Sequence, residues 1–178
     1  HASRLDRPRL PVLLTLDGRH PIAERDLDGW PGYAHSRPVR VGNGAANQHQ
    51  LDGYGWVLDA MWLMVRAGYR LYGETWRAAQ ALADLVANRW REPDAGLWEV
   101  RGEPANYVHS KLMAWLALDR TSRMARSRRV KGTRLRRWER ERQAIAEWIY
   151  ANGVDPRRNT LVWKAGSDEI DAWLAARR

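Results

Sequence analysis

The run Arg91-Glu92-Pro93-Asp94-Ala95-Gly96-Leu97-Trp98-Glu99-Val100-Arg101-Gly102-Glu103-Pro104 decides how this chain is read. Its prolines and glycines break helical patterning, so it forms a loop, and helical periodicity resumes on both sides. The loop sets an indole, Trp98, directly before a carboxylate, Glu99, with Asn106, His109 and Lys111 close behind. An indole wall desolvates the charged form of a neighbouring carboxyl and raises its pKa, which is the condition a proton donor needs. Taken alone, such a pair also occurs at helix ends with no chemistry attached.

Working outward, Leu51, Tyr54, Leu58, Met61 and Val65 recur every three or four residues. The pattern changes from Asn47, and these residues predict an apolar stripe on a long helix that Gly68 stops. Trp76, Ala79, Leu82, Ala83 and Val86 predict a second, from Glu74 to Trp90. A third is expected to begin near Val108 and to include Leu112, Trp115, Leu116 and Met124. A fourth spans Arg134 to Tyr150, with Trp138, Ile145, Trp148 and Ile149 inward, and ends at Asn152-Gly153. Leu161-Val162-Trp163 reads as a short strand, and Ser167 as the N-cap of a last helix. The first forty residues read as irregular or extended, because Pro8, Pro11, Pro21, Pro31-Gly32 and Pro38 punctuate them and Asp17-Gly18 makes a turn.

No alternation of strands and helices occurs, so the class is all-α, with successive helices joined by loops. Nearly every helix carries a strong apolar stripe. Five such helices cannot cover one another, so an open flank with exposed apolar patches is expected.

The 178 residues amount to one domain and are 44% hydrophobic and 29% charged, as in a soluble globular chain. No apolar run approaches the roughly 20 residues that cross a bilayer. The chain begins at His1 rather than Met, which reads as a processed product or a piece of something longer. With no cysteine there is no disulfide framework and no thiolate nucleophile. Eleven Trp against no Phe suit stacking on flat ligand faces, sugars included.

The net charge of +9 is local. Arg120 to Arg142 holds eleven Lys or Arg and two acids, Glu139 and Glu141, while the remainder carries nineteen of each sign. Arg123, Arg126 and Arg129, then Arg134, Arg137 and Arg140, open a reading as a helical module that binds nucleic acid or an acidic partner. Against it, Trp138, Ile145 and Trp148 mark the same stretch as packed, and no aromatics interleave the Arg run for base stacking. A solvated connection between helices is the preferred reading.

His1, His20, His35, His49 and His109 show no paired spacing for a metal. Ser110 lacks a G-x-S-x-G setting, and Val41-Gly42-Asn43-Gly44 lacks the lysine and hydroxyl of a phosphate loop. No cofactor is expected.

Several segments, in register, carry a resemblance. Pro93 to Pro104, then Val108-His109-Ser110-Lys111-Leu112-Met113-Ala114-Trp115 and Ala117-Leu118-Asp119-Arg120, resemble the family 15 glycoside hydrolases. These are the glucoamylase, glucodextranase and bacterial trehalase group. Gly32-Tyr33, Ser36 to Ala46, Gln48, Gln50-Leu51-Asp52 and Tyr54-Gly55 resemble the same family upstream, as does Gly166-Ser167-Asp168-Glu169-Ile170-Asp171-Ala172 downstream.

The resemblance implies an (α/α)6 barrel, of which residues 1–178 would form about half, with a short extended N-terminal stretch. It implies an inverting mechanism with two carboxylates, and Glu99 falls on the general acid. Trp98 would wall the sugar subsite, with Arg101, His109 and Lys111 in the block beside it. Arg40, Asn43 and Gln50 fall in the block that shapes the far side, and Asp171 at the start of the next inner helix.

The family's Trp-Pro-Arg-Asp-like glucosyl-binding segment is expected upstream of His1, and its general base beyond Arg178. The Arg-rich stretch departs from the family, which there mixes acids and bases. The implied substrate is an α-glucoside, either the non-reducing end of an α-glucan or trehalose, and the implied partner is the remainder of the same barrel. A cytoplasmic bacterial protein is the expectation. The Arg-rich module and a catalytically dead remnant stand as alternatives.

Overall fold

In the computed structural model, residues 10–19, 23–99, 102–129 and 132–170 are described. The chain divides into two compact units, His1–His49 and Gln50–Arg178. In the first, β1 (Arg25–Asp26) pairs antiparallel with β2 (Arg40–Val41). The turn expected at Asp17-Gly18 is present: Gly18 has φ 76° and its N–H reaches the Thr15 carbonyl. Asn43 caps a short 3-10 turn, Gly44–Asn47, by accepting a hydrogen bond from the Ala45 N–H at 2.8 Å.

The second unit is all-α, with short hairpin strands. Its helices are α1 (Asp52–Arg66), α2 (Gly73–Arg89), α3 (Val108–Ser127) and α4 (Thr133–Asn152), followed by β3 (Val154–Asp155) paired antiparallel with β4 (Thr160–Leu161). The strand expected at Leu161-Val162-Trp163 is thus displaced to Thr160–Leu161, and Val162 makes a lone bridge to Ile170. The first helix starts at Asp52, one residue after Leu51 opens its apolar period, and follows a 3-10 turn that ends where Gln48 is extended. Ser167 accepts from the Glu169 N–H at 3.0 Å, as a cap does, yet no helix begins by Ile170. The helix expected next lies outside the described residues.

The helices alternate in direction. The start of α1 meets the loop that precedes α3, since the Leu51 N–H donates to Asp94. The end of α4 abuts the start of α3, since a Cβ on Gly153 would meet Val108 at 3.1 Å. Hence α1 and α3 run alongside each other, while α2 and α4 run the opposite way. Gly55 permits the close crossing of α1 on α3: a Cβ there would stand 2.6 Å from the Met113 carbonyl oxygen.

Helix α3 is packed on most sides. Leu112, Trp115 and Leu116, its expected apolar residues, are only half-buried, and Met113, Ala114, Ala117, Leu118 and Met124 form its core. On α4, Trp138, Ile145 and Ile149 are buried as expected, whereas Trp148 is half-buried. On α2, Trp76, Ala79, Ala83 and Val86 are buried and Leu82 half-buried. The surplus of apolar surface is visible on α1, where Trp56, Leu63 and Met64 stay exposed. No described helix is long and apolar enough to cross a membrane.

Candidate active site

One end of the helices collects the start of α1, the end of α2, the start of α3 and the end of α4. Gln50, the Trp98-Glu99 turn, His109, Lys111 and the segment leading up to Asp171 all belong to that end. The loop from Trp90 to Tyr107 joins α2 to α3 there. Asp94 and Ala105 exchange both backbone hydrogen bonds, at 3.0 and 2.9 Å, and so pin together the two ends of the turn that carries Glu99. Tyr107 stands opposite Lys164 as a single bridge whose hydrogen bonds come from the flanking residues, Val108 N–H to the Trp163 carbonyl and Ala165 N–H to the Asn106 carbonyl, both at 3.0 Å. The Tyr107 ring lies 5.4 Å from that of Trp163.

Glu99 sits on that turn with φ 50°, a left-handed backbone that costs a non-glycine residue about 1–2 kcal/mol. Its N–H reaches back to the Gly96 carbonyl at 3.4 Å. Gly96 itself has φ 69° and lies so flat on the Tyr107 ring that a Cβ would come within 2.7 Å of it. Strain of this kind persists only where surrounding structure fixes it, and it concentrates at functional turns. Glu99 is exposed, and so, at 55%, is its neighbour Trp98.

The buried groups behind the turn are polar. Asp94 is 1% exposed, and its Oδ2 accepts from the Leu51 N–H at 2.9 Å, where a negative charge suits the start of α1. Burial pushes its carboxyl above the usual range, against the Leu51 hydrogen bond and the nearby Ser110 and Lys111. Lys111 is fully buried. Its Nζ donates to the carbonyl oxygens of Trp90 (2.6 Å) and Glu92 (2.8 Å), and it lies 5.7 Å from the centre of the Trp148 ring. Burial pulls its ammonium down to about 8, opposed by Asp94 and Glu92.

Among the expected site residues, Gln50, Trp98, Glu99, His109 and Lys111 share one end of the second unit. His109 is buried in the first turn of α3. Arg40 and Asn43 belong to the first unit, where Arg40 pairs with Asp26 at 2.9 Å and with Glu24 at 3.5 Å. Arg101 and Asp171 lie outside the described residues. At the same end, a cleft of about 440 Å3 is lined by Asp155, Arg157, Arg158, Ser167 and Asp168, among others. Among the described residues, no group of three His, Asp or Glu side chains is placed to hold a metal.

Sequence reasoning missed Asp94, as a buried anchor, and Glu141. Glu141 of α4 accepts from Trp90 Nε1 at 3.1 Å and from Arg91 at 2.8 Å, and so fixes the start of the loop. A signal was present. Glu141 falls on the same period as buried Trp138, Ile145 and Ile149, and a charge at a core position needs a buried partner.

Residues 4–176 match the glycosyl hydrolases family 15. The chain belongs to that family. It is 36% identical over 173 residues to a trehalase of Mycolicibacterium smegmatis, covering 97% of this chain and 26% of that protein. Against a trehalase of Mycobacterium tuberculosis it is 35% identical, with 97% of this chain and 25% of the relative covered. A trehalase of Thermoplasma acidophilum is 34% identical over 93% of this chain and 28% of its own length. The family 15 chain therefore spans about a quarter of these curated relatives. No solved structure gives a significant match.

Proposed function

We propose that this chain is the general-acid portion of a family 15 enzyme that hydrolyses an α-glucoside by inversion, with trehalose as the substrate. The Trp98-Glu99 turn carries the reading: a carboxyl on a strained backbone, beside an indole, at the end where the helix termini gather. The trehalase relatives support trehalose over an α-glucan.

Glu99 in its protonated form gives its proton to the departing glycosidic oxygen. A second carboxylate, which the resemblance places beyond Arg178, takes a proton from the water that attacks the anomeric carbon from the opposite face. The two carboxylates stand roughly 6.5–9.5 Å apart in such enzymes to admit that water. Trp98 offers the sugar ring a flat apolar wall, and Gln50, Arg101, Arg40, Asn43 and Asp171 are the polar residues that, by the family resemblance, we assign to the substrate, while His109 is as deeply buried as Lys111. We assign Lys111 to the loop behind them.

The test is glucose release from trehalose, maltooligosaccharides and isomaltooligosaccharides by the full-length protein. Glu99→Gln keeps the shape of the side chain but has no proton to give, and it lowers turnover on trehalose by about 10²–10⁴ while sparing binding. Full activity of that variant overturns the assignment of Glu99. Turnover by residues 1–178 alone shows that the base lies within this chain.

A further inference from the structure

We infer that Lys111 and Asp94 are positioning residues that hold the turn bearing Glu99 in its working geometry, Lys111 by grasping the loop backbone rather than the sugar. The inference rests on the reading of Glu99 as general acid.

The loop is pinned at its entry and at its neck. At the entry, the Lys111 ammonium bridges the carbonyls of Trp90 and Glu92, two residues apart on the way out of α2. Trp148 of α4 covers that ammonium, and Glu141 of α4 holds the Trp90 indole, so the entry is fixed from α3 and α4 together. At the neck, Asp94 closes the turn on Ala105 through its backbone and ties it to the start of α1 through its side chain. Beyond the neck, Gly96 rests on the Tyr107 ring and Glu99 follows in its left-handed conformation.

An ammonium buried completely, with two carbonyl oxygens in its first contacts, has no face open to a sugar hydroxyl. What it controls is the path of the chain between α2 and Glu99. A proton donor displaced by about an ångström loses on the order of 10²-fold in rate. Lys111→Met keeps the apolar stem and removes the donors to both carbonyls. Asp94→Asn keeps the shape, removes the charge and exchanges one acceptor oxygen for an NH2 donor.

A leaving group that needs no proton separates positioning of the acid from general damage. The full-length protein and its variants are assayed on trehalose and on α-glucosyl fluoride, whose fluoride departs without protonation. Glu99→Gln serves as the reference. Lys111→Met is expected to lose on the order of 10² in kcat on trehalose, with KM within about threefold and activity on the fluoride retained. Asp94→Asn is expected to show the same split at about tenfold.

Loss on both substrates alike, in a folded variant, overturns the inference, as does a raised KM with kcat unchanged. If Lys111→Met does not accumulate folded, the split shown or not shown by Asp94→Asn decides. If Glu99→Gln itself fails to spare the fluoride, the general-acid reading falls. If Glu99→Gln spares it and the two variants do not, only the positioning role falls.

Discussion

Arg142 of α4 donates to the Asp119 carboxylate of α3 across 2.8 Å, and Asp119 is 1% exposed. Arg123 and Arg120 reach the same carboxylate, at 2.6 and 2.8 Å, and Arg120 also pairs with Asp59 of α1. Further along the Arg-rich stretch, Arg126 pairs with Glu139, Arg134 with Asp84 of α2, and Arg137 with Asn88 of α2. Arg128 donates to the Leu71 carbonyl and lies over the Trp76 ring. The stretch that holds the whole positive excess therefore ties helices together, and these arginines face acids and carbonyls of their own chain.

Asp119→Ala is expected to lower stability by about 2 kcal/mol, below the 3–5 kcal/mol of a fully buried pair because its arginine partners are partly exposed. Burial opposes the charge of Asp119, but the hydrogen bonds and charges of Arg123, Arg142 and Arg120 outweigh it and hold the carboxyl below its usual range. The folded pKa thus lies under the unfolded value of 3.8. The stabilisation is present above that value and is lost as pH falls through the folded pKa. Denaturant midpoints of the full-length protein at neutral pH and in an acid series check both parts, and a variant as stable as wild type at neutral pH contradicts the first.

Gly55→Ala is expected to cost about 1–3 kcal/mol, the range for overpacking a tight interior. The new methyl would stand 2.6 Å from the Met113 carbonyl oxygen, which is helix backbone and cannot swing aside. Elsewhere in a helix the same change gains about 1 kcal/mol through propensity, so the sign of the shift is itself the check. Thermal unfolding of the variant beside Gly53→Ala, where a Cβ meets open space on the same helix, reads it directly.

Periodicity found α2 and α4 because each has one buried face and one solvated face. On α3 it placed the helix, from Val108, and included buried Met124, but it did not find the rest of the core: Leu112, Trp115 and Leu116 are half-buried and the deeper faces are mostly small or polar. A helix enclosed on several sides has no single stripe to read. The Trp98-Glu99 pair was legible, since prolines, glycines and an indole beside an acid are local features. What stands behind it was not: Lys111 and Glu141 meet Trp90 from 21 and 51 residues away, and Asp94 meets Leu51 from 43. Their positions on buried helix or loop faces hint at partners without naming them.

Lys111 gives a pH dependence with a definite sign. Its ammonium titrates at about 8 in the fold and at 10.5 when unfolded, so between these values the unfolded state holds more protons. Stability contributed by this group therefore rises with pH across that window. The stability difference between wild type and Lys111→Met should grow in favour of wild type from pH 8 to 10.5 and stay flat below it. Urea unfolding of both proteins over that range measures it, and a difference that shrinks with pH contradicts the buried-ammonium geometry.

Glu99→Gly is expected to separate stability from activity. Glu99 occupies a left-handed backbone that glycine adopts without penalty, so the change relieves about 1 kcal/mol or more of strain in the fold. The added freedom of glycine in the unfolded chain offsets up to about 1 kcal/mol of that gain. Glu99 is exposed, so almost no burial is lost with its side chain. The net effect on unfolding should thus lie near zero or on the stabilising side. A glycine at an exposed residue of the same loop with negative φ, such as Glu103→Gly, brings only the entropic cost and should destabilise the fold. Hydrolysis of trehalose by the full-length Glu99→Gly protein should meanwhile fall by about 10² or more, because the carboxyl proposed as general acid is gone. Thermal melts and glucose release on the same preparations give both readings. A Glu99→Gly protein destabilised as much as Glu103→Gly would show that the turn carries no strain at Glu99, and one that is stable and fully active would remove Glu99 from the chemistry.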